Sequence, residues 1–423
     1  MSLKKWIKVL GAFVYLPELM YICEKFEVMA QRVRYPIGEQ SFEQLRKRDC
    51  LYVDKTRFID QIIGNGGKYY FLGRPRRFGK SLFLDTLKCF FEGKRHLFEG
   101  LYADSMEWDW EPYPVLKLDL NNEKYKTPDA LDAVIEGLLK EWEREYGITP
   151  DVESHSMRFR SIIRAAHEKT GRGVVILVDE YDKPLVNNLH DHENFEYCRD
   201  KLASLYSNFK SSAEHIRLVF LTGVSRFAHL SVFSDLNNIQ DISLDDDYAD
   251  VCGITEEELR ANFGEGIRNL ASKYKYTEEQ TIDRLRTFYD GYRFTDEEIY
   301  LYNPFSLLNA MQKRTFGKYW IASGTPSLLM AQMKRFDIDL KSLLDAKCGR
   351  DDLSGLDLEN PRPLALFFQT GYLTIKDFDF DTELYTLGLP NEEVKKGFLE
   401  YLLPKIGVEF STEKRCLVDW LVE

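Results

Sequence analysis

The chain has 423 residues and a formal net charge of −12, with 44% hydrophobic and 14% aromatic residues. Such a length exceeds one ordinary core and predicts two or three domains, and the composition excludes a disordered chain. The acidic balance excludes a general polyanion binder, so any nucleic-acid contact requires a local basic patch.

At the N-terminus, Lys4 and Lys5 precede a mostly apolar stretch from Trp6 to Ile22, interrupted by Lys8 and Glu18. No small-residue cleavage site follows, and the stretch is marginal for a membrane span. It reads as an amphipathic helix, or as residues ahead of a natural start at Met29. Tyr69 to Leu72 is then expected as a buried strand, Ser81 to Phe91 as a helix and Val115 to Leu118 as a second strand. Ala130 to Tyr146 has helical spacing, with Leu131, Val134, Leu138 and Trp142 on one face. Val174 to Val178 is an unbroken aliphatic run, the pattern of a strand buried on both faces. A helix over Phe195 to Phe209, a strand at Leu218 to Leu221 and a fifth strand within Ile239 to Leu244 complete the pattern. Strands separated by helices predict an α/β fold with a parallel sheet and crossover helices.

Beyond Leu244 the character changes. Thr255-Glu256-Glu257-Glu258 is a capping box, and helical patterns continue through Phe288. Asp290-Gly291 marks a turn, and Asn303-Pro304 opens another helix. Leu366 to Phe368 and Tyr372 to Ile375 flank Thr370-Gly371 as a small α/β element. The expected organisation is an N-terminal extension over 1–31, an α/β core over 32–248, a helical region over 249–300, a small α/β segment over 301–400 and a linker over 401–423. The seven cysteines are scattered and form no C-x-x-C pair. That predicts neither a zinc site nor a disulfide framework and fits a reducing cytosol.

The first strand runs into a loop ending in Gly79-Lys80-Ser81, followed by a helix, which is the order of a P-loop NTPase. Triphosphate charge has to be met by inward backbone amides, the positive end of a helix and an ammonium group. Lys80 is expected to reach the β- and γ-phosphates, Ser81 to bind Mg²⁺, and Gly79 to let the backbone approach closely. No acid lies between Asp60 and Asp85, yet Lys68, Arg74, Arg76, Arg77 and Lys80 do. The usual spacing places a glycine where this chain has Arg74, and Gly73 is one place too early. A standard loop conformation is therefore not assumed. The expected nucleotide-contacting set is Arg74, Pro75, Arg76, Arg77, Phe78, Gly79, Lys80, Ser81 and Leu82.

Val174 to Val178 ends in Asp179-Glu180. In ATPases of this kind the aspartate holds Mg²⁺, usually through water, so Ser81 and Asp179 are the expected metal residues. The following glutamate activates or positions the attacking water, so Glu180 is the expected catalytic carboxylate. ATP and Mg²⁺ are the expected ligands, with ADP as product. The next strand ends at Thr222-Gly223-Val224-Ser225-Arg226. Thr222 and Ser225 are candidates for sensing the γ-phosphate, and Arg226 for a phosphate sensor or arginine finger. A plain turn with a surface arginine is the alternative. Asp54 is a further candidate near the nucleotide, against the simpler reading of a capped helix start.

Tyr35-Pro36-Ile37-Gly38, Tyr52-Val53-Asp54-Lys55-Thr56 and Arg74 to Ser81 resemble the bacterial AAA-ATPase-like proteins abundant in gut Bacteroidetes. The resemblance continues through Asp179 to Asp182, Thr222 to Phe227, Asn237-Asn238-Ile239, Tyr319 to Pro326 and Phe368 to Leu373, and so covers roughly residues 32–400. The displaced glycine is a feature of that family, whereas Arg226 stands where lysine is more usual. The resemblance implies an ATPase core, a helical region, a winged-helix-like segment and a C-terminal PD-(D/E)XK nuclease-like domain. Only about thirty residues follow Pro390-Asn391-Glu392-Glu393-Val394, too few for such a domain. No nuclease activity is expected of this chain, which reads as truncated or as a natural fragment. Glu392, Glu393, Lys395, Lys396 and Glu400 have the spacing of an exposed helix face.

His190-Asp191-His192-Glu193 lacks a third spaced metal ligand and reads as a solvated loop. Lys334-Arg335 is followed by Asp337 and Asp339, so no basic stripe forms. The expected function is an ATP-driven switch with Mg²⁺-dependent hydrolysis in the cytoplasm. The alternative is a nucleotide-binding module that hydrolyses little and controls an attached protein effector or binds DNA.

Overall fold

Five short strands form the sheet that the apolar runs predict, and their order decides where the loops meet. The computed structural model of the protein describes residues 33–121, 123–226, 239–323, 346–355 and 363–402. The N-terminal stretch, Phe227, Asn237-Asn238, Gly324 to Pro326, Lys334-Arg335 with Asp337 and Asp339, and the expected linker beyond residue 402 lie outside the described residues.

Two short helices, α1 (Phe42–Lys47) and α2 (Arg57–Gly64), precede strand β1 (Tyr69–Gly73). Helix α3 (Lys80–Phe91) follows the loop, then β2 (Val115–Asp119), α4 (Pro128–Tyr146), α5 (His155–Thr170) and β3 (Val174–Asp179). The chain continues through α6 (Lys183–Val186), α7 (His192–Ser211), β4 (Ile216–Gly223) and β5 (Gln240–Asp241). The sheet order is β2-β3-β4-β1-β5, with every pairing parallel. β3 is buried along its whole length, as its all-aliphatic sequence requires. α3 buries Phe83, Leu84, Leu87, Phe90 and Phe91 in the same core. In α4 the buried apolar residues are Leu131, Ile135, Leu139 and Trp142, so the face turns slightly from the one expected, leaving Val134 and Leu138 half-buried.

The helices α8 (Glu256–Asn262), α9 (Gly264–Tyr274) and α10 (Glu278–Tyr289) pack with α11 (Pro304–Lys313) around a second apolar cluster that includes Leu259, Ile267, Leu285 and Leu307. α8 starts with the capping box of Thr255 and Glu258, and α11 with Asn303 accepting from the Ser306 amide. After α12 (Tyr319–Ala322) come β6 (Lys347–Cys348), α13 (Arg350–Ser354), α14 (Pro363–Gln369), β7 (Thr374–Asp379), β8 (Leu384–Gly388) and α15 (Glu392–Leu402). β6, β8 and β7 form an antiparallel three-stranded sheet. Its residues Ile375, Tyr385 and Leu387, with Phe367, Phe368 and Phe398, join the core of the parallel sheet. No helix among the described residues is long and apolar enough to cross a membrane.

The expected exposed face of α15 is corrected at Glu393, which is buried. Its carboxylate accepts from the Ser306 hydroxyl and the Trp320 amide, both at 2.6 Å. The charge pattern Glu392, Lys395 and Lys396 does pair along the helix surface.

Candidate functional site

Register brings three strand ends to one level. Gly73 of β1 sits beside Gly223 of β4, and Val178 of β3 beside Leu221 of β4. The loop after β1, the acids after β3 and the tip of β4 therefore share the carboxyl edge of the sheet, where ligands of open α/β folds bind. A cleft of about 660 Å³ opens there, within the range of small-molecule sites.

Arg76, Arg77, Phe78, Gly79, Lys80, Ser81 and Leu82 all line this cleft. Gly79 caps α3 with φ +104°, a left-handed value that favours glycine. Lys80 is buried, and its Nζ donates to the carbonyls of Arg74 at 2.9 Å and Pro75 at 3.2 Å, folding the loop over its own lysine. Ser81 lines the cleft at the first turn of α3.

Across the cleft stands Glu180, whose φ of +51° turns it out of line with β3. Thr222 holds both acids in place. Its hydroxyl donates to Asp179 Oδ1 at 2.6 Å and accepts from the Glu180 amide at 3.3 Å. Asp179 is buried behind the cleft, and its Oδ2 takes no hydrogen bond from the described residues. Carboxylate and hydroxyl oxygens are the hard donors Mg²⁺ takes, and the Ser81 hydroxyl also makes no hydrogen bond among the described residues.

Residues 36–233 match the AAA-ATPase-like family, whose description is a predicted AAA-ATPase. An uncharacterized protein in the vnfD 5′ region of Azotobacter chroococcum mcd 1 is 40% identical over 381 residues, which is 88% of this chain and 70% of that protein. The chain belongs to the AAA-ATPase-like family. Membership implies nucleotide binding, and the cleft is the place in this family member where residues of the loop after β1 and the acids Glu180 and Asp182 converge.

Several expected contacts fall elsewhere. Arg74 turns into the core and is 1% exposed. Its guanidinium donates to the carbonyls of Gly73, Ser243, Tyr248 and Ala249 and lies over the Phe294 ring, and burial pushes it down to about 10. It braces the loop from behind rather than facing a ligand. Pro75 presents only its carbonyl, to Lys80. Arg226 pairs with Asp241 of β5 at 2.6 Å and borders a separate small cavity. Asp54 accepts from the Thr56 amide and hydroxyl and from the Tyr102 amide, which is the capped-turn reading. Thr222 is committed to Asp179 and Glu180, leaving Ser225 as the cleft-lining residue at the tip of β4. Among the described residues no group of acids, histidines and cysteines forms a metal cluster, and Asp191 of the His190–Glu193 run caps α7.

Other cleft residues in this AAA-ATPase-like chain belong to no phosphate-binding or metal-binding motif. Asp182 accepts from the amides of Val224 at 3.2 Å and Ser225 at 2.7 Å, clamping the β4 tip. Burial pushes its carboxyl up to about 6. Tyr52, Val53, Ile254, Phe263 and Phe305 form an apolar wall drawn from three separate stretches of chain. Thr370 and Tyr372 close the cleft from the small C-terminal sheet's side. Asp182 closes the Asp179 to Asp182 stretch that carries the family resemblance.

Proposed function

We propose that the chain is an Mg²⁺-dependent ATP hydrolase that works as a molecular switch. The observation that carries this reading is that Lys80 and Glu180 line one cleft, with Asp179 tied to Glu180 through Thr222. Triphosphate would draw Lys80 Nζ from the Arg74 and Pro75 carbonyls, and the amides at the start of α3 would take phosphate oxygens. The apolar wall around Phe263 and Phe305 suits a purine ring. Ser81 and Asp179 would hold Mg²⁺, which supplies charge to the β- and γ-phosphate oxygens when bound. A water held by Glu180 would attack the γ-phosphorus while the bond to the β-phosphate oxygen breaks. Its proton passes to the carboxylate, leaving ADP and phosphate.

The switch role is supported by contacts of the loop after β1 and of the β4 tip with the C-terminal part. Trp320 Nε1 donates to the Arg76 carbonyl at 3.0 Å, and the Arg226 amide donates to Gln369 at 3.1 Å. A loop that shifts on phosphate binding would therefore pull on α12, and a shift of the β4 tip would pull on α14. The β7–β8 hairpin carries Asp377, Asp379, Asp381 and Glu383 around Phe380, which is 79% exposed. That charge favours a protein effector over DNA as the partner. A slowly hydrolysing regulatory module is the second reading. It is favoured by Lys183, whose ammonium lies 3.8 Å from Glu180 and competes for the carboxylate.

A steady-state ATPase assay on wild type and Glu180→Gln tests the proposal. The variant should bind ATP normally and turn over roughly 10²–10⁴-fold more slowly. Equal rates would remove Glu180 from the mechanism, and no turnover in wild type would favour the regulatory module.

A further inference from the structure

The loop after β1 holds Arg74, Arg76 and Arg77, and one of them is held in an unfavourable backbone conformation. Arg77 has φ +68°, in the left-handed region that side chains with a Cβ avoid. Such an outlier persists when the surrounding structure over-determines it, and outliers of this kind cluster at functional sites. Arg77 is exposed to the cleft, two residues before the glycine that caps α3.

A census of the cations around the cleft isolates the same residue. Lys55 is paired with Asp250 and Glu258, Lys183 with Glu180, and Arg226 with Asp241. Arg74 is spent on buried carbonyls. Among the described residues, Arg76 and Arg77 have no carboxylate within ion-pair distance. Each guanidinium rests instead on an aromatic ring, Arg76 on Trp320 at 5.8 Å and Arg77 on Phe305 at 4.8 Å. A ring face holds a guanidinium weakly in a partly wet site. A phosphoryl group offers charge and two oxygens in the geometry the guanidinium fork matches. Arg76 is the more fixed of the two, because its carbonyl also receives the Trp320 indole N–H.

We propose that Arg77 leaves the Phe305 ring and stabilises the charge on the transferring phosphoryl group, so that this chain completes its own catalytic site without an arginine from a second subunit. The inference rests on the ATPase reading and adds to it the residue that supplies transition-state charge. No bond to Arg77 forms or breaks, since its role is electrostatic.

The test compares wild type, Arg77→Gly and Arg77→Lys in ATP titrations, steady-state turnover and thermal melts. Arg77→Gly removes the guanidinium and relieves the left-handed strain, so its Tm should not fall below wild type. Its kcat should fall by about 10³-fold, the lower end of what a guanidinium contributes to phosphoryl transfer. ATP affinity should change far less than kcat, a split that a merely structural role would not produce. Arg77→Lys keeps a charge but not the fork, and its kcat should lie between the two. Wild-type turnover per chain should be independent of protein concentration. Full turnover by Arg77→Gly, or a per-chain rate that rises with concentration, overturns the inference while leaving the ATPase reading in place. Failure of wild type to bind or hydrolyse ATP overturns that reading instead.

Discussion

Glu393→Gln should stabilise the protein at neutral pH and leave it unchanged in acid. The Glu393 side chain is 87 residues from Ser306 in sequence, yet its carboxyl oxygens bond the Ser306 hydroxyl and the Trp320 amide inside the protein. Burial pushes this carboxyl from an ordinary 4.5 up to about 7. The folded state therefore prefers the neutral form. The group's contribution is fully present below about pH 4.5 and is lost as pH rises through about 7. That interval corresponds to about 3 kcal/mol. Glutamine has the same shape and is always neutral. Its carbonyl can accept from the Trp320 amide, and its NH₂ can donate to the Ser306 oxygen. Urea denaturation of both proteins at several pH values between 4.5 and 8 gives the difference directly. Asp182 and Asp290, both raised to about 6 by burial, give slopes of the same sign that are common to both proteins and cancel in the comparison. The variant should match wild type near pH 4.5 and exceed it by about 3 kcal/mol at pH 8. A variant that tracks wild type across the range, or is weaker at pH 8, would refute the reasoning.

Two further substitutions probe the packing that supports the cleft. Gly371 has φ +85°, and a Cβ there would lie 2.8 Å from two carbons of Pro75. Gly371→Ala should destabilise by about 1–3 kcal/mol and weaken nucleotide binding through the displaced loop, as read by thermal melts and ATP titration. Arg158 and Glu143 form a buried two-bond pair at 2.6 and 2.8 Å, with Glu136 as a further partner of the arginine. Glu143→Leu should cost about 3 kcal/mol in urea denaturation without altering ATP affinity, because the pair lies outside the cleft.

The α/β character was legible because its signals are local. An apolar run, a Gly-Lys-Ser loop and an apolar helix are adjacent in the chain, and so are the Val174–Val178 run and its terminal acids. The parallel pairing then sets the strand ends level, as the registers of Gly73 with Gly223 and Asp119 with Asp179 record. What stayed hidden depends on distant partners. Arg74, Arg76 and Arg77 are alike in a string of letters. Arg74 turns inward because carbonyls of residues 243–249 and the Phe294 ring await it. Thr222 looked like a free sensor, but parallel pairing sets β4 beside β3 and spends its hydroxyl on Asp179. The apolar wall joins Tyr52, Phe263 and Phe305, which no periodicity connects. Glu393 sits in a charge run that fits an exposed face, yet it is buried on α15 beside Val394 and Phe398, where two donors from other helices meet it.

Calorimetric titration of ATP with Mg²⁺ into wild type and Lys80→Ala tests the central claim most directly. Lys80 is the loop's ammonium, held by the Arg74 and Pro75 carbonyls, and under the proposed function it would be surrendered to phosphate on binding. Wild type should bind one ATP per chain, and Lys80→Ala should bind about 10- to 100-fold more weakly, the worth of a lost charge-assisted contact. Equal affinity in the two proteins would contradict the assignment of this cleft to the nucleotide.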